Sequence, residues 1–154
     1  ISPIVGFQYG AGDKQKLRNI YHTSFLFVAV SSVFMAVIAI VLSPTIVTIF
    51  TDDPATYELA AVGFRLFAIN FLFSGISITS SGFFTALSNG TISAVISFCR
   101  TLGFIVLSLL ILPKFLGITG AWIAIPVAEF CTLLVTGVMH FVYFWKPGIR
   151  NYLR

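Results

Sequence analysis

The chain has 154 residues, of which 58% are hydrophobic and only 9% are charged. Soluble domains average about 45–50% apolar and about 25% charged residues, so this composition excludes a soluble globular domain, a disordered chain and a collagen-like chain. The formal charge is +4, but the basic residues form no stripe interleaved with aromatic residues, and we therefore expect no nucleic-acid partner.

Four apolar segments are long enough to cross a membrane, since a spanning helix needs about 20 apolar residues. The first twelve residues contain one proline and three glycines, which is typical of the broken end of a preceding helix. We then predict transmembrane spans at about 24–50, 59–87, 91–112 and 120–145. The breakers between them are Asp52-Asp53-Pro54, Ser88-Asn89-Gly90 and the stretch from Pro113 to Gly120.

The charges beside these spans predict their orientation. Basic residues precede the first span and follow the fourth, whereas the connection after the first span is acidic. Because cytoplasmic flanks carry an excess of Lys and Arg, we expect a cytoplasmic segment at about 10–20 and a cytoplasmic C-terminal tail at 146–154. An even number of spans also requires both ends to lie on the same side.

Polar residues of the second span repeat along one helix face. Ser74, Ser77 and Ser81 all fall within roughly 40° of Asn70 on a helical projection. Small hydroxyl-bearing residues suit close helix packing, and the same pattern suits the wall of a wet cavity. Both interpretations stay open, and these four residues are the candidates for lining a substrate cavity.

Three charges lie inside the predicted spans. Arg65, Arg100 and Glu129 each cost at least about 2.5–3.5 kcal/mol at the centre of a membrane helix, so each needs a partner or a role. Their depths place all three in the middle third of the membrane, as a buried polar cluster. A structural ion pair and a carboxylate that exchanges a proton during transport both fit. Pro126, one turn before Glu129, is a hinge candidate.

Signatures of catalysis are absent from the sequence. The glycines near the start fit neither a dinucleotide fingerprint nor a phosphate-binding loop. Cys99 and Cys131 have no metal-ligand spacing. Haem between His22 and His140 is disfavoured, since histidines near the membrane interface are far commoner. We therefore predict no enzyme, no cofactor and no metal site.

Short motifs in order along nearly the whole chain resemble those of the multidrug and toxic compound extrusion (MATE) transporters. The segment from Ile1 to Gly12, followed by basic residues, is similar to the helix-end motif of that family: Pro3, Gly6, Gly10 and Ala11 match, and Gln8 replaces the usual asparagine. Three later stretches also follow the family pattern: Ile49 to Asp53, Phe83 to Leu87 and Leu112 to Trp122.

The resemblance implies an all-α polytopic membrane protein seen in part, from the end of helix 8 through helix 12. Its four transmembrane helices would form most of one six-helix lobe of a twelve-helix transporter. It also implies secondary active efflux of organic, cationic compounds, driven by a proton or sodium gradient through alternating access. The implied partners are a small-molecule substrate, the N-terminal lobe of the same protein and membrane lipids. The implied location is the plasma membrane, the inner membrane of a bacterium.

One departure from the family pattern concerns coupling. A branch of the family places a cation-binding aspartate in the tenth helix, which corresponds here to the second span, and residues 59–87 contain no Asp or Glu. The resemblance therefore implies a main coupling carboxylate in the other lobe, with Glu129 in a supporting role. Two alternatives stay open: a lipid-linked oligosaccharide flippase of the same superfamily, and a membrane anchor or assembly subunit that does not transport.

Overall fold

A computed structural model describes residues 2–145, which consist of helices joined by short turns and contain no strand. The predicted tail at 146–154 lies outside the described residues. In chain order the helices are α1 (Ser2–Gly10), α2 (Lys14–Phe50), α3 (Pro54–Ala68), α4 (Asn70–Ala86), α5 (Gly90–Phe98), a π-helical segment (Cys99–Phe104) and α6 (Ile105–Trp145).

Three helical stretches are long and apolar enough to cross a membrane: Lys14–Phe50, Pro54–Ala86 and Gly90–Tyr143. At 1.5 Å per residue, each exceeds the hydrocarbon thickness of about 30 Å. Large apolar side chains such as Phe27, Phe50 and Phe115 are exposed on the surface of the bundle, where lipid would surround them. The expected class, an all-α polytopic membrane protein, is confirmed.

The third stretch reverses its direction at Gly117, whose φ of 58° and ψ of −139° are not helical. A positive φ of this size is readily adopted only by glycine. Beyond the reversal, Gly120 lies against the backbone of Leu112 and Pro113, and Glu129 forms an ion pair with Arg100. In a straight helix these two charged residues would be about 44 Å apart. The stretch is therefore a helical hairpin that crosses the bundle twice.

The second stretch is not one uniform helix. At the junction of α3 and α4, the Ile69 N–H donates to the Leu66 carbonyl at 3.3 Å and the Leu72 N–H donates to the Ile69 carbonyl at 3.1 Å. These tighter turns fall halfway along Pro54–Ala86 and place Asn70 at the first position of α4. The predicted span at 59–87 thus contains a local irregularity at its centre.

An apolar core joins the helices at the end of the bundle where α1 lies, which we call the α1 end. Val5 of α1 and Leu17 of α2 pack here with Phe84 of α4, Ile96 of α5 and Tyr143 of α6. The short α1 approaches α4 closely, because the Ser2 hydroxyl donates to the Gly82 carbonyl at 3.4 Å. The core therefore joins α1, α2, α4, α5 and α6 at this end of the bundle.

Two helices, α2 and α3, are capped at their starts by aspartates. Oδ2 of Asp53 accepts hydrogen bonds from the Thr56 hydroxyl at 2.6 Å and from the Thr56 N–H at 2.9 Å. These bonds favour the ionised carboxylate, so they lower the pKa of Asp53 below its usual value. The cap is fully formed above the usual pKa of aspartate and is lost as the pH falls through the lower folded value. Asp13 caps α2 in the same way through Lys16.

The two turns beside the core, after α1 and after α4, end their helices with the same backbone motif. At the end of α1, Gly12 has a φ of 70°, and the Asp13 N–H donates back to the Gln8 carbonyl. At the end of α4, Ser88 has a φ of 59°, and the Asn89 N–H donates back to the Phe84 carbonyl at 2.9 Å. This six-to-one hydrogen bond defines a Schellman motif, which favours glycine at the left-handed position. Ser88 therefore carries a strained backbone.

We expect Ser88→Gly to stabilise the fold by about 0.5–1 kcal/mol, because glycine adopts the left-handed conformation without a steric penalty. Thermal or denaturant unfolding in detergent would measure the change. Ala94→Gly, at an exposed position inside α5, is the control and should destabilise by about 0.5–1 kcal/mol. A loss of stability in Ser88→Gly would contradict the assignment of strain.

Candidate functional site

A buried ion pair joins the two limbs of the helical hairpin. Arg100 Nη1 lies 3.5 Å from Glu129 Oε1, and the side chains of the two residues are 29% and 4% exposed. Arg100 belongs to the π-helical segment Cys99–Phe104. Single-turn π-helices inside longer helices often occur at functional sites. Both residues were predicted to belong to a buried cluster, and the structure brings these two together.

Arg65 does not join this pair, which corrects the expectation that all three charges meet. Its side chain is exposed at the end of α3, and within residues 2–145 it has no ion pair. Counting residues along the span predicts the height of the Arg65 side chain along the bundle, but it does not predict the direction in which the side chain points around the helix axis. Arg65 therefore lies on the outside of the described bundle and forms no ion pair with Glu129.

The polar stripe of α4 divides among different neighbours. The Ser81 hydroxyl lies 2.9 Å from the hydroxyls of both Ser93 and Ser97 on α5, and the Thr85 hydroxyl lies 2.6 Å from that of Ser93. Such a network links the two helices through short side chains. The structure thus places Ser81 at a helix-packing contact, which is one of the two interpretations that the sequence left open for the stripe.

Ser74, one of the four predicted residues, lines a groove between α2 and α4. The groove has a volume of about 420 Å³, and its walls combine apolar side chains with four hydroxyl groups; it is lined by Val28, Ser31, Ser32, Met35, Phe71, Ser74, Gly75, Ile78 and Thr79. Gly75 permits the close approach of the two helices, because any Cβ at this position would collide with the Ser32 hydroxyl. The groove gives α4 an accessible, weakly polar face.

Asn70 and Ser77 lie in the interior, where Oδ1 of Asn70 and Oγ of Ser77 have no hydrogen-bond partner within residues 2–145. Nearer the α1 end, Ser80 and Thr136 line a cavity of about 260 Å³ between α2, α4 and α6. These last two residues were not predicted from the sequence. A signal for Thr136 was available, since Glu129, Thr136 and His140 are spaced by seven and four residues along one helix face.

The backbone at Pro126 remains helical, although the ring removes one hydrogen-bond donor from α6. The described part of α6 departs from helical angles only at Gly117. The proposed hinge at Pro126 stays a prediction. Residues 2–145 contain no cluster of three or more His, Cys, Asp or Glu side chains that would suit a metal ion.

The residues of the motif near the start of the chain form α1 and the turn after it. Pro3 and Gly10 are exposed, whereas Gly6 lies beside the Ala86 carbonyl of α4, 3.6 Å from where a Cβ would be. The Gln8 carbonyl accepts from Asp13, and the Ala11 N–H donates to the Phe7 carbonyl, so both take part in the turn. This motif therefore terminates a helix and docks it on α4.

Comparison with known families adds an independent finding to this geometry. Residues 1–110 of the 154 match the MatE protein family. No curated protein and no solved structure matches the chain. The matched region includes α1 to α5, the π-helical segment with Arg100 and the start of α6. The family match covers more than half of the chain and agrees with its apolar helical bundle: the chain belongs to the MatE family of membrane transporters.

Proposed function

We propose that this chain is part of a secondary active exporter of organic, cationic compounds. The observation that carries the proposal is the MatE match over residues 1–110, which includes the segment that holds Arg100. A buried carboxylate paired with that arginine supports it, because ionisable residues inside membranes are costly and usually serve transport or coupling. Export of several unrelated compounds, as in multidrug efflux, would follow from a cavity wall with few directional contacts.

The groove between α2 and α4 is the proposed contact surface for substrate. Its wall presents the rings and side chains of Phe71 and Met35 beside the hydroxyl of Ser74. Apolar and aromatic walls with a few polar groups are typical of small-molecule sites, and aromatic faces attract organic cations. Asn70, Ser77 and Ser81 would act behind this wall, in packing and hydration, instead of touching the substrate.

Coupling would pass through the ion pair. A proton or sodium gradient drives alternating access in this proposal, and Glu129 changes its interaction with Arg100 as the transporter changes state. No cofactor is needed. The partners are the N-terminal lobe of the same protein, membrane lipids and the small-molecule substrate. The proposed location is the bacterial inner membrane, with both ends of this segment in the cytoplasm.

Ethidium efflux from a drug-sensitive, efflux-deficient bacterium tests the proposal. The complete natural gene for this protein would be expressed, and efflux followed after the proton gradient is collapsed or, separately, after sodium is removed. We expect efflux that depends on one of the two gradients, because the proposed transporter is not driven by ATP. An absence of efflux from an abundant, correctly inserted protein would contradict it.

A flippase for a lipid-linked oligosaccharide is the second candidate, and Arg65 is the observation that favours it. This side chain is exposed and has no ion pair within residues 2–145, so it is available to an anionic lipid headgroup. Flipping of a fluorescent lipid-linked sugar in proteoliposomes, lost in Arg65→Gln, would support this candidate. A protein active in neither assay would be the membrane anchor considered above.

A further inference from the structure

Buried oxygens without hydrogen-bond partners concentrate at one helix interface. Within the described residues, five side-chain oxygens are both buried and unpartnered, and all five belong to α4 or α6: Asn70 Oδ1, Ser77 Oγ, Ser80 Oγ, Glu129 Oε2 and Thr136 Oγ1. Buried polar groups in native proteins almost always have a partner, either from the protein or from ordered water. Five such oxygens at one interface therefore indicate a shared partner.

The helices α4 and α6 pack against each other, and one pair of these oxygens shares a cavity between them. On α4, Asn70, Ser77 and Ser80 fall within an arc of about 80° together with Phe73, whose ring packs against Phe130 of α6 at 5.6 Å between centroids. On α6, Glu129 and Thr136 fall within about 20° of each other. Nearer the α1 end, Ser80 and Thr136 line the same cavity. Ser80 and Thr136 thus meet at the α4–α6 interface, with Ser77 one turn and Glu129 two turns further from the α1 end along their own helices, and we take these oxygens together as one line.

The dimensions of this line suit water. Glu129 and Thr136 are separated by about 10.5 Å along the helix axis, and Ser77 lies between their levels. The cavity at the far end measures about 260 Å³, and a water molecule in the liquid occupies about 30 Å³. Several water molecules therefore fit in the cavity, and a few more would bridge the oxygens between it and Glu129.

The ion pair leaves one oxygen of Glu129 available to this line. Oε1 is engaged by Arg100 at 3.5 Å, whereas Oε2 has no partner within the described residues. The other titratable groups facing the line are Tyr21 of α2 and His140 of α6, both of which line the cavity. Water that enters the cavity would reach Oε2 of Glu129, which has no hydrogen-bond partner within the described residues.

We propose that the α4–α6 interface binds a chain of water molecules that connects Glu129 with the cavity beside Tyr21 and His140 and delivers protons to Glu129. A hydronium ion at the end of the chain gives its proton to Oε2, which forms an O–H bond, and the hydronium ion becomes water. The reverse step returns the proton toward the cavity. The water chain rests on the geometry alone, and proton delivery rests on the proposed export function.

Thermal unfolding of two valine variants tests the water chain in the purified whole protein. Thr136→Val removes an unpartnered hydroxyl that lines the cavity. Thr132→Val is the matched control, because Thr132 is equally buried on the same helix and its hydroxyl donates to the Ala128 carbonyl at 2.9 Å. If water binds Thr136, its variant has the lower Tm of the two, since bound water loses a partner. An equal or higher Tm in Thr136→Val overturns the proposal, because a dry hydroxyl is better replaced by a methyl group.

Proton-driven efflux tests the delivery step with the same pair of variants. We expect Thr136→Val to slow efflux several-fold and Thr132→Val to leave the rate of efflux unchanged. In a protein that already carries Glu129→Gln, Thr136→Val should cause no further loss of efflux. Efflux in Thr136→Val equal to that in Thr132→Val overturns proton delivery through this route. If the protein is not an exporter, the unaltered protein shows no efflux, which is a different result. The comparison of Tm values does not depend on transport.

Discussion

Export is expected to fall about tenfold or more when Glu129 is replaced by glutamine, with the protein still present in the membrane at its normal abundance. Glutamine keeps the volume of the side chain and one oxygen for Arg100, but it removes the negative charge. A bias of about 1.4 kcal/mol between two access states changes their ratio tenfold, and the loss of a buried charge partner is worth more than this. Ethidium efflux and quantitative immunoblotting of membranes would measure both quantities.

A second variant separates transport from packing. In Arg100→Met/Glu129→Leu both charges of the pair are replaced by apolar groups of similar size, which often leaves stability unchanged or improves it. We expect this variant to be abundant and inactive. Full efflux in Glu129→Gln or in the double variant would restrict the pair to a structural role. Glu129→Ala is less informative, because it leaves Arg100 buried without its partner and opens a cavity.

Gly120→Ala is expected to destabilise the protein by about 3 kcal/mol or more, the upper part of the range for overpacked sites. A Cβ at Gly120 would lie against the Leu112 carbonyl oxygen and 2.9 Å from the Pro113 nitrogen. These are backbone atoms in the tight reversal around Gly117, so no side-chain rotation relieves the contact. Unfolding by denaturant in mixed micelles would measure the loss.

Gly137→Ala supplies the matched control for this prediction. Gly137 lies on the same helix, and no atom lies within 4 Å of the position its Cβ would take. Alanine should be neutral there or stabilise by about 0.4–1 kcal/mol, because it reduces the freedom of the unfolded chain. If Gly120→Ala proved as stable as Gly137→Ala, the two limbs of the hairpin would not be packed as closely as described.

Long apolar runs and their breakers were sufficient to predict the class of this fold. Lipid-facing helices need apolar residues all round, so their length is visible in the sequence, and residues such as Asp53 and Gly117 mark where they stop or turn. The extension of α2 back to Lys14 was not predicted. Its first turns are polar, and they are held by the Asp13 cap and by packing of Leu17 in the core.

The candidate site was predictable only in part, because spacing gives height along a helix more readily than direction in the bundle. Arg100 and Glu129 meet as expected, but Arg65 points elsewhere at a similar depth. The junction at Ile69 and the π-helical segment contain no proline, so neither irregularity could be predicted from the sequence. The π-helical turn alters the rotation of everything before it relative to everything after it, so a regular projection misplaces residues across it.

The helical hairpin also bears on how the protein is made. Arg100 and Glu129 lie on its two limbs, and Lys114 near the turn is the one charged residue in the sequence between them. If the two limbs associate before they enter the bilayer, the charges of Arg100 and Glu129 neutralise each other during insertion. The apolar limbs then take the turn, with its single charge, across the membrane. Membrane insertion at the translocon then costs less than the insertion of two unpaired charges, because the partner that neutralises each charge in the folded state is already beside it.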